Sequence, residues 1–340
     1  MGILIKKQVP ARIAIRNFVG LFFISLLGFF LISACSNHIN PKATNSTLRQ
    51  IAGECRVIKH TMGESCIPVD PKRIISVDQF NSSNILALGI KPVGIVGAKE
   101  YLDAPYLKNR IQGIETIYTV NGEFSLEKVL LLKPDLIIGL SSRQSIYKQL
   151  SYIAPTVLIP WSEISYDWKE NFKNVAKLLG KLETFNQLMK DYENRVQKLR
   201  QILINSQNNG EKDKEQLIRA SYASIYYGNF TLSLDGSFPG TVLKDVGLQP
   251  PSSETPGSLS LPISEEYLPK IDIDVLFVGT TDDNNLSKLE QLQQKPIWSN
   301  VKAIQQNRVY LTKASVWWGY NVLAAHAVID DLFKYLVNKP

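Results

Sequence analysis

Apolar positions along this chain fall into two rhythms. One is the short unbroken run: Arg73-Ile74-Ile75-Ser76-Val77, Val93–Val96, Asp135–Gly139, Thr156–Ile159, Ala220–Tyr227, Val275–Val278 and Val309-Tyr310-Leu311. Runs that do not alternate suit strands covered on both faces of a parallel sheet. The other is a spacing of three and four residues, which predicts helices over Asn81–Leu88, Leu126–Leu132, Tyr166–Leu179, Gly240–Val246, Glu265–Lys270 and Asn321–Val337. Gly89, Lys133-Pro134, Gly180 and Gly247 supply the stops. Strand and helix alternating over such short distances read as βαβ units.

The middle of the chain breaks this alternation. Phe185, Leu188, Tyr192, Val196, Leu199 and Leu203 form one apolar stripe, so Leu182–Ile204 is predicted as a helix about 35 Å long. Asn205–Gln216 is a polar loop, after which the strand–helix grammar resumes. The predicted organisation is α/β, then a helix, then α/β, and the length of the middle helix suits a strut across two lobes. The boundaries are 55–165 for the N-terminal lobe, 166–204 for the helical linker and 205–340 for the C-terminal lobe.

The first residues follow different rules. Lys6, Lys7, Arg12 and Arg16 precede the uncharged run Phe18–Ile32, which is short for a membrane-spanning helix. A basic start, an apolar run and small residues before a cleavage point make a secretory signal. Leu31-Ile32-Ser33-Ala34-Cys35 resembles a bacterial lipobox. That resemblance implies cleavage after residue 34, acylation of Cys35 and a tether over residues 35–54. The whole sequence has 38 basic and 31 acidic residues, but residues 1–34 hold four of the basic and none of the acidic. The mature net charge falls from +7 to +3, which gives no case for a nucleic-acid partner. Cys55 and Cys66 flank a segment with Met62-Gly63 at its centre; in an oxidising compartment the natural reading is a disulfide across a hairpin.

Two segments about 140 residues apart share one layout. Ser125-Leu126-Glu127 precedes Asp135-Leu136-Ile137-Ile138-Gly139, and Ser264-Glu265-Glu266 precedes Asp274-Val275-Leu276-Phe277-Val278-Gly279. A serine N-cap followed by an acidic residue suits the positive end of a helix without any further role. Its presence in both halves asks for a second explanation.

Pro71-Lys72-Arg73-Ile74-Ile75, Ala87-Leu88-Gly89-Ile90-Lys91-Pro92-Val93-Gly94 and Leu130-Leu131-Leu132-Lys133-Pro134-Asp135-Leu136-Ile137-Ile138 resemble periplasmic-binding proteins of the iron-siderophore and cobalamin import class. Tyr147-Lys148-Gln149-Leu150-Ser151-Tyr152-Ile153-Ala154-Pro155-Thr156 and Phe238-Pro239-Gly240-Thr241-Val242-Leu243-Lys244-Asp245-Val246-Gly247-Leu248 extend the likeness to its ferric-siderophore members. The resemblance implies an α/β fold of two Rossmann-like lobes joined by a single long helix, with the ligand cleft between the lobes, in an extracytoplasmic, lipid-anchored monomer. Such a protein binds a ferric siderophore and delivers it to an ABC permease and its ATPase. It also implies that Glu127 and Glu266 dock onto that permease. Hydroxamate-binding members often carry an arginine where this chain has Asn121, which leaves the ligand subclass open.

Ligands of open α/β lobes bind outside the carboxyl ends of strands. Reading past each strand gives Gln79, Phe80, Lys99, Tyr101, Ser142, Arg143 and Trp161 in the first lobe. The second offers Tyr226, Tyr227, Phe230, Trp317, Trp318 and Tyr320. Arg143 is the expected cation for an anionic chelate, and the aromatic rings the expected walls. No cofactor and no protein metal site is expected, because the siderophore supplies the iron ligands and His60 and His326 lack a partner at metal-ligand spacing. Haem or cobalamin on the same fold is the first alternative. An exported enzyme is the second, but no Gly-x-Ser-x-Gly elbow, phosphate loop or full dinucleotide fingerprint is present.

Overall fold

The structure is a computed structural model that describes residues 55–161, 167–207, 218–226, 229–252, 258–264, 270–280 and 298–338, with single positions between 287 and 296. Counts and absences below refer to those residues. The predicted signal, Cys35 and the tether lie outside them.

The described chain opens with a hairpin, β1 (Cys55–His60) and β2 (Gly63–Pro68), turning at Gly63 with φ of 117°. The Cα atoms of Cys55 and Cys66 are 5.6 Å apart and their sulfurs are joined as a disulfide. The first lobe then runs β3 (Ile74–Ser76), α1 (Gln79–Ala87), β4 (Gly94–Gly97), α2 (Lys99–Leu102), β5 (Glu115–Tyr118), α3 (Leu126–Leu131), β6 (Leu136–Leu140), α4 (Tyr147–Ile153) and β7 (Thr156–Ile159). Its sheet has the order β5-β4-β3-β6-β7, and every pair is parallel. All residues of β4, β6 and β7 are buried, as the unbroken apolar runs require.

Two helices follow, α5 (Trp168–Leu178) and α6 (Leu182–Gln207), separated by a turn in which Gly180 has φ of 66°. The second lobe contains β8 (Ala220–Tyr226), β9 (Asn229–Ser233), α7 (Phe238–Asp245), β10 (Ser260–Ile263), β11 (Val275–Thr280), α8 (Lys302–Gln305), β12 (Val309–Lys313), α9 (Ala314–Trp317) and α10 (Val322–Leu332). Its sheet order is β10-β9-β8-β11-β12. Strands β8, β11 and β12 are parallel, while β9 runs antiparallel to both of its neighbours. The second lobe is therefore a mixed sheet. The sequence pattern missed β9 and β10 because Asn229–Ser233 is half polar and Ser260–Ile263 carries Pro262, a residue confined to edges such as this one.

The repeated aspartate has a structural use. Asp135 accepts from the Arg73 N–H at 2.9 Å, and its own N–H donates to the Arg73 carbonyl at 3.0 Å. In the second lobe the Arg219 N–H donates to the Asp274 carboxylate at 2.8 Å, and the Asp274 N–H to the Arg219 carbonyl at 2.8 Å. Each pair fixes the start of a central strand against its neighbour, β3 to β6 and β8 to β11. Half of the sequence echo is thus a duplicated strand clamp.

The linker helices divide their work. Helix α5 packs against α1 and β7, and Asn171 donates to Asn81 at 3.2 Å. Helix α6 packs along α10, where the Arg195 guanidinium meets the His326 ring and the Asp330 carboxylate. At the junction the Asp245 carboxylate of α7 accepts from Lys169 and from Tyr192, each at 2.7 Å. Trp168, Phe172, Tyr192, Phe238 and Leu199 all belong to one buried cluster that runs through both lobes.

The hairpin seals the edge of the first sheet. Thr61 N donates to the Leu158 carbonyl at 3.2 Å, and Leu158 N faces His60 Nδ1 at 3.4 Å. Met62 N also faces that nitrogen, so Nδ1 must be an acceptor and the ring neutral. Burial pushes the His60 pKa below its usual 6.5. A histidine with a depressed folded pKa adds stability above its unfolded pKa, and that stability is lost as pH falls below it. His326 is shifted the same way by burial and Arg195, so the two must be separated by variant. The expected outcome is a melting temperature that drops between pH 7 and pH 5, with a smaller drop in His60→Gln. Equal drops in thermal scans of the two proteins would show that His60 does not titrate in this range.

Candidate functional site

Both sheets point the carboxyl ends of their parallel strands toward the seam between the lobes, and the aromatic candidates gather there. Phe80, in the first turn of α1, lies flat on Trp161 with centroids 5.2 Å apart and planes 4° apart. Trp161 is held just past β7 by Ser141, whose hydroxyl accepts from Trp161 N at 2.9 Å. Tyr320 of the second lobe meets both rings edge-on, at 5.4 Å from Phe80 and 5.6 Å from Trp161. Tyr101 approaches Phe80 at 6.4 Å, and Trp318 approaches Tyr320 at 6.3 Å. The walls expected for a ligand are here in contact with one another.

The backbone that presents Tyr320 is unusual. Its φ is 48°, a left-handed conformation that non-glycine residues seldom adopt. It directly precedes Asn321, whose side chain caps α10 by accepting from Ala324 N at 2.9 Å. Asn321 also donates to the Tyr106 hydroxyl at 3.3 Å, and Tyr106 donates to the Ser315 carbonyl at 3.2 Å. Burial pushes the Tyr106 phenol up to about 12, so it remains a neutral donor across the seam.

Arg143 sits in a short 3-10 segment after β6, the strand paired with β7. Its Nε donates to the Val77 carbonyl at 3.2 Å and its Nη1 to the Gly122 carbonyl at 2.7 Å. The guanidinium also lies 5.3 Å from the Phe124 ring and faces Asp78. Burial dominates at Asp78 and raises its pKa to about 6, while bonds from Asn81 and the charge of Arg143 pull the other way. Two of the five donors of Arg143 are therefore spent on its own lobe. Gly122 closes an Asn121-Gly122 turn in which both residues have positive φ, 51° and 80°. Asn121 is therefore a turn residue of a two-residue hairpin. Its identity is set by backbone geometry before any ligand is considered.

Other predicted residues separate. Trp317 is fully buried, stacked on Phe277 at 4.5 Å and Tyr222 at 5.4 Å, with its Nε1 donating to Asp331 at 2.8 Å. It is packed inside the second lobe. Trp318, the C-cap of α9, lies instead 6.3 Å from Tyr320. Phe230 is likewise buried, against Trp298. Lys99 is exposed, ion-paired with Asp103 and 5.4 Å from the Tyr118 ring. Glu127 is exposed in the first turn of α3, after its cap Ser125. Tyr226 ends β8, but its side chain is outside the described atoms; Tyr227 and Glu266 are outside the described residues. Phe238, 5.3 Å from Tyr320, is a site neighbour that the sequence reading left unassigned.

Two open grooves lie elsewhere. The larger, about 630 Å³, is at the amino ends of the second-lobe strands, where Arg219 pairs with Asp272 and Lys244 with Asp235. Its charges satisfy each other. Among the described residues no three His, Cys, Asp or Glu gather to hold a metal, and no helix is long and apolar enough to cross a membrane.

The profile of the periplasmic binding protein family matches residues 74–316. The chain belongs to that family. It is 29% identical over 340 residues to the probable siderophore-binding lipoprotein YfiY of Bacillus subtilis (strain 168), covering 95% of this chain and 99% of the relative. It is 26% identical to the Fe(3+)-citrate-binding protein YfmC of the same organism, covering 95% and 98%. The crystal structure of Staphylococcus aureus SirA complexed with staphyloferrin B superposes with a TM-score of 0.69 at 25% identity, covering 83% of this chain and 98% of that one. The two-lobed α/β architecture with its cleft is thus the architecture of a binding protein.

Arg143 is expected to be structural as well as functional. Arg143→Ala leaves two carbonyls without their donor and Asp78 without its cation, at a cost of about 1–3 kcal/mol. Urea unfolding of the ligand-free protein measures it. An unchanged midpoint would mean that Arg143 is held by nothing in its own lobe.

Proposed function

We propose that this protein binds a ferric siderophore in the cleft between its lobes and hands it to an ABC permease for iron import. The observation that carries the reading is the cross-lobe aromatic cluster of Phe80, Trp161 and Tyr320, with Arg143 past the exit end of β6 in the same first-lobe sheet, on this family's fold. A ferric chelate is bulky and anionic and brings its own iron ligands. It needs flat apolar walls and a few donors, which is what converges here. The names of the relatives, for siderophore and for ferric citrate, favour the same cargo. Lys99, Tyr101, Tyr226, Tyr227 and Trp318 are the remaining proposed contacts.

In this reading Cys35 carries the lipid, the mature protein acts as a monomer outside the cytoplasmic membrane, and no catalysis is involved. Glu127 and Glu266 dock onto the permease. The exposed position of Glu127, away from any ion pair among the described residues, suits that role.

Titration of the mature protein with ferric citrate, ferrioxamine B and a ferric catecholate is expected to quench tryptophan fluorescence for at least one chelate. Trp161 and Trp318 are the reporting rings. Silence toward all three, or a Soret band on adding haem, would overturn the cargo.

Docking is checked separately. Glu127→Arg combined with Glu266→Arg is expected to leave chelate affinity within about twofold and abolish uptake by cells, since like charges then face the permease. A loss of affinity in the purified variant would place these glutamates at the ligand instead.

A further inference from the structure

The hydroxyl of Tyr222 is fully buried and has no hydrogen-bond partner. Tyr222 stands in the middle of β8, opposite Phe277 of β11. Its ring is packed on Trp317, a task that phenylalanine would perform equally well. The hydroxyl carries a cost that packing does not explain, because a buried donor left unpaired is unfavourable by about 1–3 kcal/mol.

The fold nevertheless makes room for it. Gly279, near the carboxyl end of β11, would place a Cβ only 1.8 Å from the Tyr222 oxygen. Any other residue at 279 would collide with the phenol. The hydroxyl therefore lies over a side-chain-free point at the end of the sheet that faces the other lobe. Tyr101 and Tyr320, the two phenols that flank Phe80, are near enough to its oxygen to add to the upward push that burial gives its pKa. Next to Tyr320 is a second orphan: the indole N–H of Trp318 is also buried without a partner.

We infer that Tyr222 is a further ligand-binding residue, a hydrogen-bond donor at the floor of the cleft that takes an anionic oxygen of the ferric chelate when the rings above it part. This rests on the proposed function and adds to it a recognition residue and the chemistry it selects. The phenol is held neutral, since burial and the neighbouring tyrosines push its pKa well up. It therefore donates to a carboxylate, catecholate or hydroxamate oxygen and does not ligate iron as a phenolate. Trp318 Nε1 supplies a second donor to the same ligand.

The test compares wild type, Tyr222→Phe and Tyr310→Phe as full mature proteins. Tyr310 lies at the far end of the same aromatic column, beyond Phe277, and serves as the control. The probes are ferric citrate, ferrioxamine B and a ferric catecholate. For whichever chelate the wild type binds, Tyr222→Phe is expected to weaken affinity about tenfold, since a bond to a charged acceptor is lost. Its unfolding midpoint is expected to be unchanged or higher, because no bond is broken in the free protein. Tyr310→Phe is expected to match wild type. Equal affinity in Tyr222→Phe, or equal weakening in both variants, overturns the inference while the functional reading stands. A lowered midpoint in Tyr222→Phe also overturns it, by revealing a protein partner for the hydroxyl. Failure of the wild type to bind any of the three overturns the functional reading and this inference with it.

Discussion

Each lobe of this protein buries its sheet on both faces, and the helices between the lobes must satisfy two sheets at once. That constraint organises the molecule. Helix α5 reaches α1 and β7 through Asn171 and its apolar face, while Trp168 at its start touches Tyr192 and Phe238 on the other side. One buried cluster accordingly runs from Ile74 in the first sheet to Phe277 in the second. Lobes that share a core cannot swing far without exposing it, at a cost of about 25 cal/mol for each Å² of apolar surface. The site at the seam is therefore built on small adjustments of ring against ring.

The duplication of the clamps follows from the same demand. Asp135 with Arg73, and Asp274 with Arg219, pin the two central strands of each sheet at their entry ends. The clamps lie at the opposite ends from the seam. With entry ends fixed, variation is left to the exit ends, where the first lobe places Phe80, Tyr101, Arg143 and Trp161. The second sheet departs from the first by reversing β9, yet keeps the strands that carry the clamp and the site, β8 and β11, in the same central places.

How much of this was legible follows from what each signal measures. Unbroken apolar runs exposed β3, β4, β6, β7, β8 and β11, because strands buried on both faces cannot hide their composition, and the apolar Val309-Tyr310-Leu311 exposed the edge strand β12. Strands β5 and β10 are sheet edges and β9 lies next to one, and all three are half polar and resemble loops. The stripe on α6 was plain and fell one turn short, since Asn205–Gln207 continue the helix with polar residues. Reading past strand ends named Trp161, Phe80 and Tyr320, whose rings meet at the seam. Trp317 was named by the same rule and is packed inside the second lobe on Phe277 and Tyr222. Tyr222 escaped it altogether: a mid-strand residue reaches the site only because Gly279 lets its phenol pass along the sheet.

The seam itself is more polar than a shared core would suggest. Helix α1 buries Asn81, Ser82, Ser83 and Asn84. Asn81 is held by Asp78 and Asn171, and the two serines bond back to Asp78 and Gln79. Asn84 has neither of its amide atoms paired. A leucine in its place would add apolar contact and remove an unmet desolvation cost, so stability alone does not select asparagine. Helix α1 also packs on α10, the helix that Tyr320 and Asn321 introduce. Polar groups there hold the lobes in one register without welding them. A binding protein needs that balance, because a cleft closed too firmly by its own core would have no free energy left to gain from its ligand.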